Sequence, residues 1–244
     1  MYLSRYEIEK IARRIITAYK NLPSVKGRQV NRVCPEVLAK DLLGLSIEHH
    51  VLSPNGAILG LTTCGEVGVP VFDHPGQPEY LFLDGKTLLI DKQLTAMGAN
   101  KGRYHFTLVH EACHQIYKML YPKEYINGVA KRQIHYCMSK LPSGSNYWEE
   151  WRTNALTSAI LMPSDMVRSN MMAFGLGEKM KLLNKVFAPN DFDHFQKMAD
   201  YMGVSQKALS IRLKQLRLLE VDHLGTPYEL VDIFPAEEET DVQG

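Results

Sequence analysis

The chain has 244 residues, a net charge of +1 and an ordinary share of apolar residues. That length allows one large domain, or one domain with a small appendage, and a core that needs no disulfide staples. A charge this close to zero supplies no whole-molecule field for nucleic acid or membrane, so any basic surface must be local. The first ten residues carry charges where a secretory leader needs an apolar run. No later stretch is long and apolar enough for a bilayer. The expectation is a cytoplasmic protein with no membrane partner. Cys34, Cys64, Cys113 and Cys137 are scattered without a CxxC pair, which reads as free thiols in a reducing compartment.

In chain order, Ile8, Ile11, Ala12, Ile15, Ile16 and Tyr19 recur at helical spacing and predict an amphipathic helix over 7–19. Residues 23–32 are a polar connection. Pro35 opens a short second helix that Gly44 ends. Residues 45–51 alternate as a strand. The Gly-, Thr- and Val-rich stretch 56–72 predicts short strands, and 74–79 a Pro/Gly turn. Residues 80–82 and 87–90 flank Asp84-Gly85, a hairpin signal.

Residues 104–121 lack Gly and Pro and predict a long helix. Residues 141–146 read as a loop and 148–161 as a further helix. Ser164 is a candidate N-cap for the next. Residues 191–202 and 205–219 form a helix pair around Gly203. The expected organisation is a main domain over 1–188, a C-terminal helical segment over 189–235 and a disordered acidic tail over 236–244.

The chemistry concentrates in His110-Glu111-Ala112-Cys113-His114, an H-E-x-x-H motif inside the long predicted helix. Four residues are just over one turn, so both imidazoles leave one face and can hold one metal ion. Glu111 sits beside them, placed to take a proton from an attacking water and return it to a leaving amine. The pentapeptide also arises by chance, as two surface histidines beside an ordinary glutamate. Catalytic zinc usually takes three protein ligands. Glu150, with Asn154 one turn later, could complete a His2Glu set, with Asn154 orienting a ligand imidazole. Glu149 and Glu150 could equally be first-turn acids favoured by the helix dipole. Spacing alone leaves both readings open.

Arg103, Phe106, Thr107, His110, Glu111 and His114 fall on R-x-x-F-T-x-x-H-E-x-x-H. Glu150, Asn154, Leu161, Met162 and Pro163 fall on E-x-x-A-N-x-F-A-A-x-L-L-M-P. In both, the chain resembles the ImmA/IrrE family of metallopeptidases. The departures are Thr153, Leu156, Thr157, Ser158 and Ile160 in the second motif, and Ala112-Cys113 where Leu-Gly is common in the first. None removes a ligand or the base. The resemblance implies a zincin-like α+β fold: N-terminal helices, a small mixed sheet, the motif helix and a helix bearing the glutamate ligand. A C-terminal helix-turn-helix-like segment follows. It selects Glu150 over Glu149, names Zn²⁺ as cofactor and implies a protein substrate, by analogy a helix-turn-helix repressor. Nitrogen and oxygen donors also suit Mn²⁺ or Fe²⁺.

Three residues near the motifs are candidate oxyanion donors: His135, Tyr136 and Tyr147. Cys113 reads as packing rather than redox chemistry. His49, His50, His74 and His105 read as surface or core residues. Met162, Met166, Met171 and Met172 read as core, with a peptide groove as the alternative. Lys207, Arg212 and Lys214 make a local basic face on the last helix, a candidate DNA contact. The alternative there is a solvated helix packed through Leu209, Leu213 and Leu216. Two rival functions follow: a DNA-binding regulator with a sensory or vestigial metal site, and a protein that binds a repressor without cutting it.

Overall fold

A computed structural model describes residues 3–74, 77–123, 134–138 and 147–228. The predicted loop at 141–146 and the acidic tail at 236–244 lie outside the described residues.

Helix α1 (Arg5–Lys20) starts at Ser4, whose hydroxyl caps Glu7 N while the Glu7 carboxylate returns to Ser4 N. Its apolar stripe, Ile8, Ala12, Ile16 and Tyr19, is buried. Helix α2 (Pro35–Val37) continues as a π turn over Leu38–Leu42. Strands β1 (Ser46–His50), β2 (Ile58–Thr63), β3 (Val67–His74), β4 (Gln77–Leu83) and β5 (Thr87–Asp91) follow. Then come α3 (Lys101–Leu120), β6 (Ile134–Met138), α4 (Tyr147–Leu161) and α5 (Ser164–Ala173). The chain continues with β7 (Met180–Leu183), α6 (Pro189–Met202), α7 (Gln206–Gln215) and β8 (Leu219–Asp222). The chain is therefore a mixed α+β protein with small mixed sheets.

The largest sheet has the order β1-β5-β2-β6, with β1 and β5 parallel and the other pairs antiparallel. One face buries Leu59, Leu88 and Ile90 against Leu108 and Ala112 of α3. The other buries Leu61 and Leu89 under Val69, Val71 and Leu83 of the β3–β4 hairpin. A strand covered on both faces needs a continuous apolar run. Leu88-Leu89-Ile90 supplies it and takes a central place.

This overturns the hairpin expected around Asp84-Gly85. The turn is there, with Asp84 Oδ1 accepting from Lys86 N at 2.8 Å. However, β4 pairs with β3 and β5 with β1 and β2, so the chain changes sheets at the turn. β4 carries the exposed Tyr80 and Phe82 and could not occupy the covered position. Ser164 is likewise the first residue of α5 rather than its cap, which is Pro163 without a side-chain bond.

The helix pair after Pro189 turns at Gly203 in the left-handed conformation, φ 68°. The second helix is shorter than expected. It ends at Gln215, Arg217 turns the chain at positive φ, and β8 pairs in parallel with β7. The expected boundary at 188/189 falls between these two strands. Phe195, Met198, Leu209 and Leu213 enter the same core as Leu156 and Ile160 of α4. Met162, Met166 and Met171 are core residues, whereas Met172 is exposed. Among the described residues, no helix is long and apolar enough to cross a membrane.

Arg212 is not on the exposed basic face expected of it. It is 2% exposed. Its Nε donates to Met162 O at 2.9 Å, and both terminal nitrogens meet the Glu9 carboxylate of α1. A buried guanidinium held from two sides is a clamp between helices and cannot reach a phosphate. Lys207 and Lys214 remain exposed.

Removing one partner of a buried ion pair strands the other and the groups bonded to it. Arg212→Ala should cost about 3 kcal/mol, lowering Tm by roughly 6–12 °C for a chain of this size. Lys214→Ala should leave Tm nearly unchanged. Equal melting temperatures for the two variants would mean that Arg212 clamps nothing.

Candidate metal centre

Asn100 caps α3 by accepting from Arg103 N at 3.0 Å. Twenty residues without proline then run between the sheet and α4. The side of α3 facing these neighbours is buried from Thr107 to Tyr117. His110, Glu111 and His114 are 2%, 0% and 1% exposed. β2 can approach this closely because Gly60 has no side chain. A Cβ there would stand 2.7 Å from Thr107 Cγ2 and 2.9 Å from Glu111 Cγ and Oε1. Gln115 ties the same strand to the helix, donating to Thr62 Oγ1 (2.6 Å) and Thr63 O (2.8 Å).

Helix α4 is fixed against α3 by a polar seam. Tyr117 Oη donates to Arg152 O at 3.1 Å, and the Arg152 guanidinium lies 4.9 Å from the Tyr117 ring centroid. Thr157 Oγ1 meets Cys113 Sγ at 3.5 Å. Cys113 is thus a packing residue, its thiol pushed up to about 12 first by burial. The seam aims Glu150 at the histidine pair.

The three side chains converge on one point. His110 Nε2 and His114 Nε2 are 3.3 Å apart. Glu150 Oε2 is 3.2 Å from His110 Nε2, and its Oε1 is 3.8 Å from His114 Nε2. Ligands held at about 2.0–2.2 Å around a tetrahedral ion stand roughly 3.3–3.6 Å from one another, so the set fits a small divalent cation. His110 Nδ1 lies 3.0 Å from Asn154 Oδ1. Donation there fixes the tautomer and leaves the Nε2 lone pair pointing to the common centre.

The electrostatics agree. Both Glu111 oxygens are buried without a hydrogen-bond partner of normal geometry. Burial, then the Glu150 charge, hold the Glu111 carboxyl well above its ordinary range, and the Cys137 N–H offsets this only in part. Burial, then the His135 and His110 rings and Arg152, hold His114 well below its ordinary range. His114 is therefore a neutral ring, as metal binding requires. His114 Nδ1 is also unpartnered among the described residues. A cation in the centre would reverse the penalty on the carboxylates.

Two further groups overlap this one: His110, Glu111 and Cys137, and His114, His135 and Glu149. Cys137 and Glu149 had no sequence signal as site residues. Cys137 arrives through the β2–β6 register, opposite Gly60, and Glu149 reads as a helix-start acid. Of the candidate oxyanion donors, His135 is buried and stacked on His114 at 4.3 Å, with Nε2 3.2 Å from Cys64 Sγ. Tyr136 lies away from the histidines. Strand alternation turns it to the opposite face, against the Leu61 and Leu89 cluster. Tyr147 is exposed at the start of α4, edge-on to Trp148.

Four other histidines have structural partners. His105 Nδ1 is 2.8 Å from Gly203 O, His50 Nδ1 is 2.6 Å from Asp73 Oδ2, and His49 stacks on Tyr104. His74 is an exposed partner of Glu79. Compared with protein-family models and with curated proteins, the chain matches none of them.

Glu111 yields one test without activity. Its folded pKa lies above the unfolded value, so its contribution is intact below about 4.5 and is lost as pH rises through the folded value. In chelator, the melting temperature of Glu111→Gln should gain on wild type by several degrees between about pH 5 and pH 8. A pH-independent difference would show that the carboxyl is not held protonated. Asn154→Ala should weaken metal binding about 10–100-fold by chelator competition, with folding retained. Unchanged affinity would reduce Asn154 to packing.

Proposed function

We propose that the chain is a zinc-dependent endopeptidase of the ImmA/IrrE type with a zincin-like catalytic domain. The observation that carries this is the convergence of His110, His114 and Glu150 on one buried point beside the fully buried Glu111. The two motif resemblances add the family. Such buried, unsatisfied, strongly shifted groups cluster where chemistry is done. His2Glu with a fourth position free is a donor set of hydrolytic zinc.

In this reading His110, His114 and Glu150 hold the ion, and Asn154 keeps the His110 ring in one tautomer. Bound there, zinc would supply Lewis-acid polarisation of the scissile carbonyl and of water. Glu111 takes the proton from the attacking water and delivers it to the leaving nitrogen as the C–N bond breaks. Its low-dielectric surroundings raise its basicity toward that task. His135, against His114, is the better placed of the candidate groups to steady the developing oxyanion. The substrate is a protein, by family analogy a helix-turn-helix repressor, and the setting a reducing cytoplasm in which free thiols persist. The rival DNA-binding reading loses Arg212 to burial.

Elemental analysis should find stoichiometric zinc in wild type and its loss in His110→Ala and Glu150→Ala. Glu111→Gln should keep the metal yet cut repressor proteins at least about 10²-fold more slowly, by mass spectrometry of the fragments. A wild-type protein that cannot be loaded with zinc, Mn²⁺ or Fe²⁺ would end the enzyme reading.

A further inference from the structure

A cavity of about 950 Å³ opens between the first half of α1, the start of α3, α4, the start of α5 and α7. Apart from the buried Arg212, five cationic side chains line it: Arg5, Arg13, Arg103, Arg168 and Lys207. All five are exposed, and none has an ion-pair partner among the described residues. The acid on this wall is Glu9, and its carboxylate is already engaged by the buried Arg212. Five like charges therefore face one concavity of a chain whose net charge is only +1. A cleft lined with one sign of charge concentrates the opposite sign. Apolar side chains share the lining: Phe106, Trp151 and Ile211. At one side stands Asn154, the residue that orients His110.

The shape decides between anions. A duplex is read by a projecting helix that enters its groove. Here the matching face of α7 turns inward, with Lys207, Ala208 and Ile211 on the cavity wall and Arg212 buried. The volume is that of a site which encloses a small ligand or a short segment. A lining both cationic and apolar suits a ligand that carries carboxylates and an apolar side chain. We propose that this cavity docks an acidic, aromatic-containing peptide segment of the protein substrate. Its carboxylates meet the exposed arginines, and its apolar side chain lies on Phe106 and Trp151. The role as a substrate dock rests on the peptidase reading; the binding itself does not.

The test is fluorescence anisotropy with the full chain carrying Glu111→Gln, its zinc content measured in the same samples. The probe is a fluorescein-labelled peptide of sequence EEDFELED, and the control is its neutral counterpart QQNFQLQN. The acidic peptide should bind at least about tenfold more tightly than the neutral one, and more weakly as salt rises. Arg103→Glu with Arg168→Glu, and separately Arg5→Glu with Arg13→Glu, should each weaken it about tenfold or more. Lys185→Glu with Lys214→Glu, exposed and outside the cavity, makes the same change in net charge and should shift it less than about twofold. Equal binding of the two peptides, no binding, or equal loss in all three double variants would overturn the proposal. So would a twelve-residue oligothymidylate that displaces the peptide and binds more tightly, which would make the cavity a nucleic-acid site. Zinc retained without peptide binding would refute the dock while leaving the metal centre standing. Peptide binding without zinc would do the reverse.

Discussion

Four ionisable side chains, His110, Glu111, His114 and Glu150, meet in the interior where α3 faces α4 and β2. Burying them is costly, because each charged form loses its hydration and Glu111 gains no hydrogen bond of normal geometry in return. A chain gains nothing in stability from such a cluster. Two apolar residues of similar size in place of Glu111 and Glu150 would pack as well. The arrangement makes physical sense once a divalent cation is placed among the nitrogens and oxygens, since the ion compensates both carboxylates and needs the imidazoles neutral. Burial lowers the His114 pKa and so favours that neutral ring before any metal arrives.

The surrounding structure serves this geometry through contacts that are individually ordinary. Gly60 lets β2 lie directly on Thr107 and Glu111. Gln115 fixes the strand's height along α3. The seam of Tyr117, Arg152, Cys113 and Thr157 sets the rotation of α4, and with it the direction of Glu150. Beyond α4, the clamp of Arg212 on Glu9 and Met162 O joins α7, α1 and the end of α4. The same guanidinium type thus has two uses within a short distance: buried and paired at Arg212, solvated and unpaired around the neighbouring cavity.

Much of this was legible in sequence, for identifiable reasons. The apolar stripe of Ile8, Ala12, Ile16 and Tyr19 is a local signal. So is the spacing of His110 and His114, because one helical turn relates the two rings whatever the rest of the chain does. Glu150 was legible only through the motif resemblance; spacing left it level with a dipole-favoured acid. What escaped depends on contacts between distant segments. β5 abandons its sequence neighbour β4 because only Leu88-Leu89-Ile90 fits a doubly covered position. β8 is four residues long, too short for alternation to show, and exists because β7 is there to pair with it. Arg212 looks like any surface cation until α1 brings Glu9 to it. Tyr136 and Cys137 depend on which face of β6 meets α3, and reading the strand's register requires its partner.

The first half of α3 links the two sites. Arg103, Phe106, His110 and His114 lie three, four and four residues apart, one continuous stripe along a single helix face. Arg103 and Phe106 line the cationic cavity, while His110 and His114 belong to the metal-capable group. Across the groove, Trp151, Asn154 and Ala155 of α4 run beside the same stripe. His110 stands at the junction, Nδ1 toward Asn154 and the cavity, Nε2 toward Glu150. Asn154, on the cavity wall, is thus the partner of His110 Nδ1. A rigid helix with several of its positions in use cannot shift one without shifting the rest. On the proposed reading, recognition and chemistry share one helix face, and a single element fixes the distance between them.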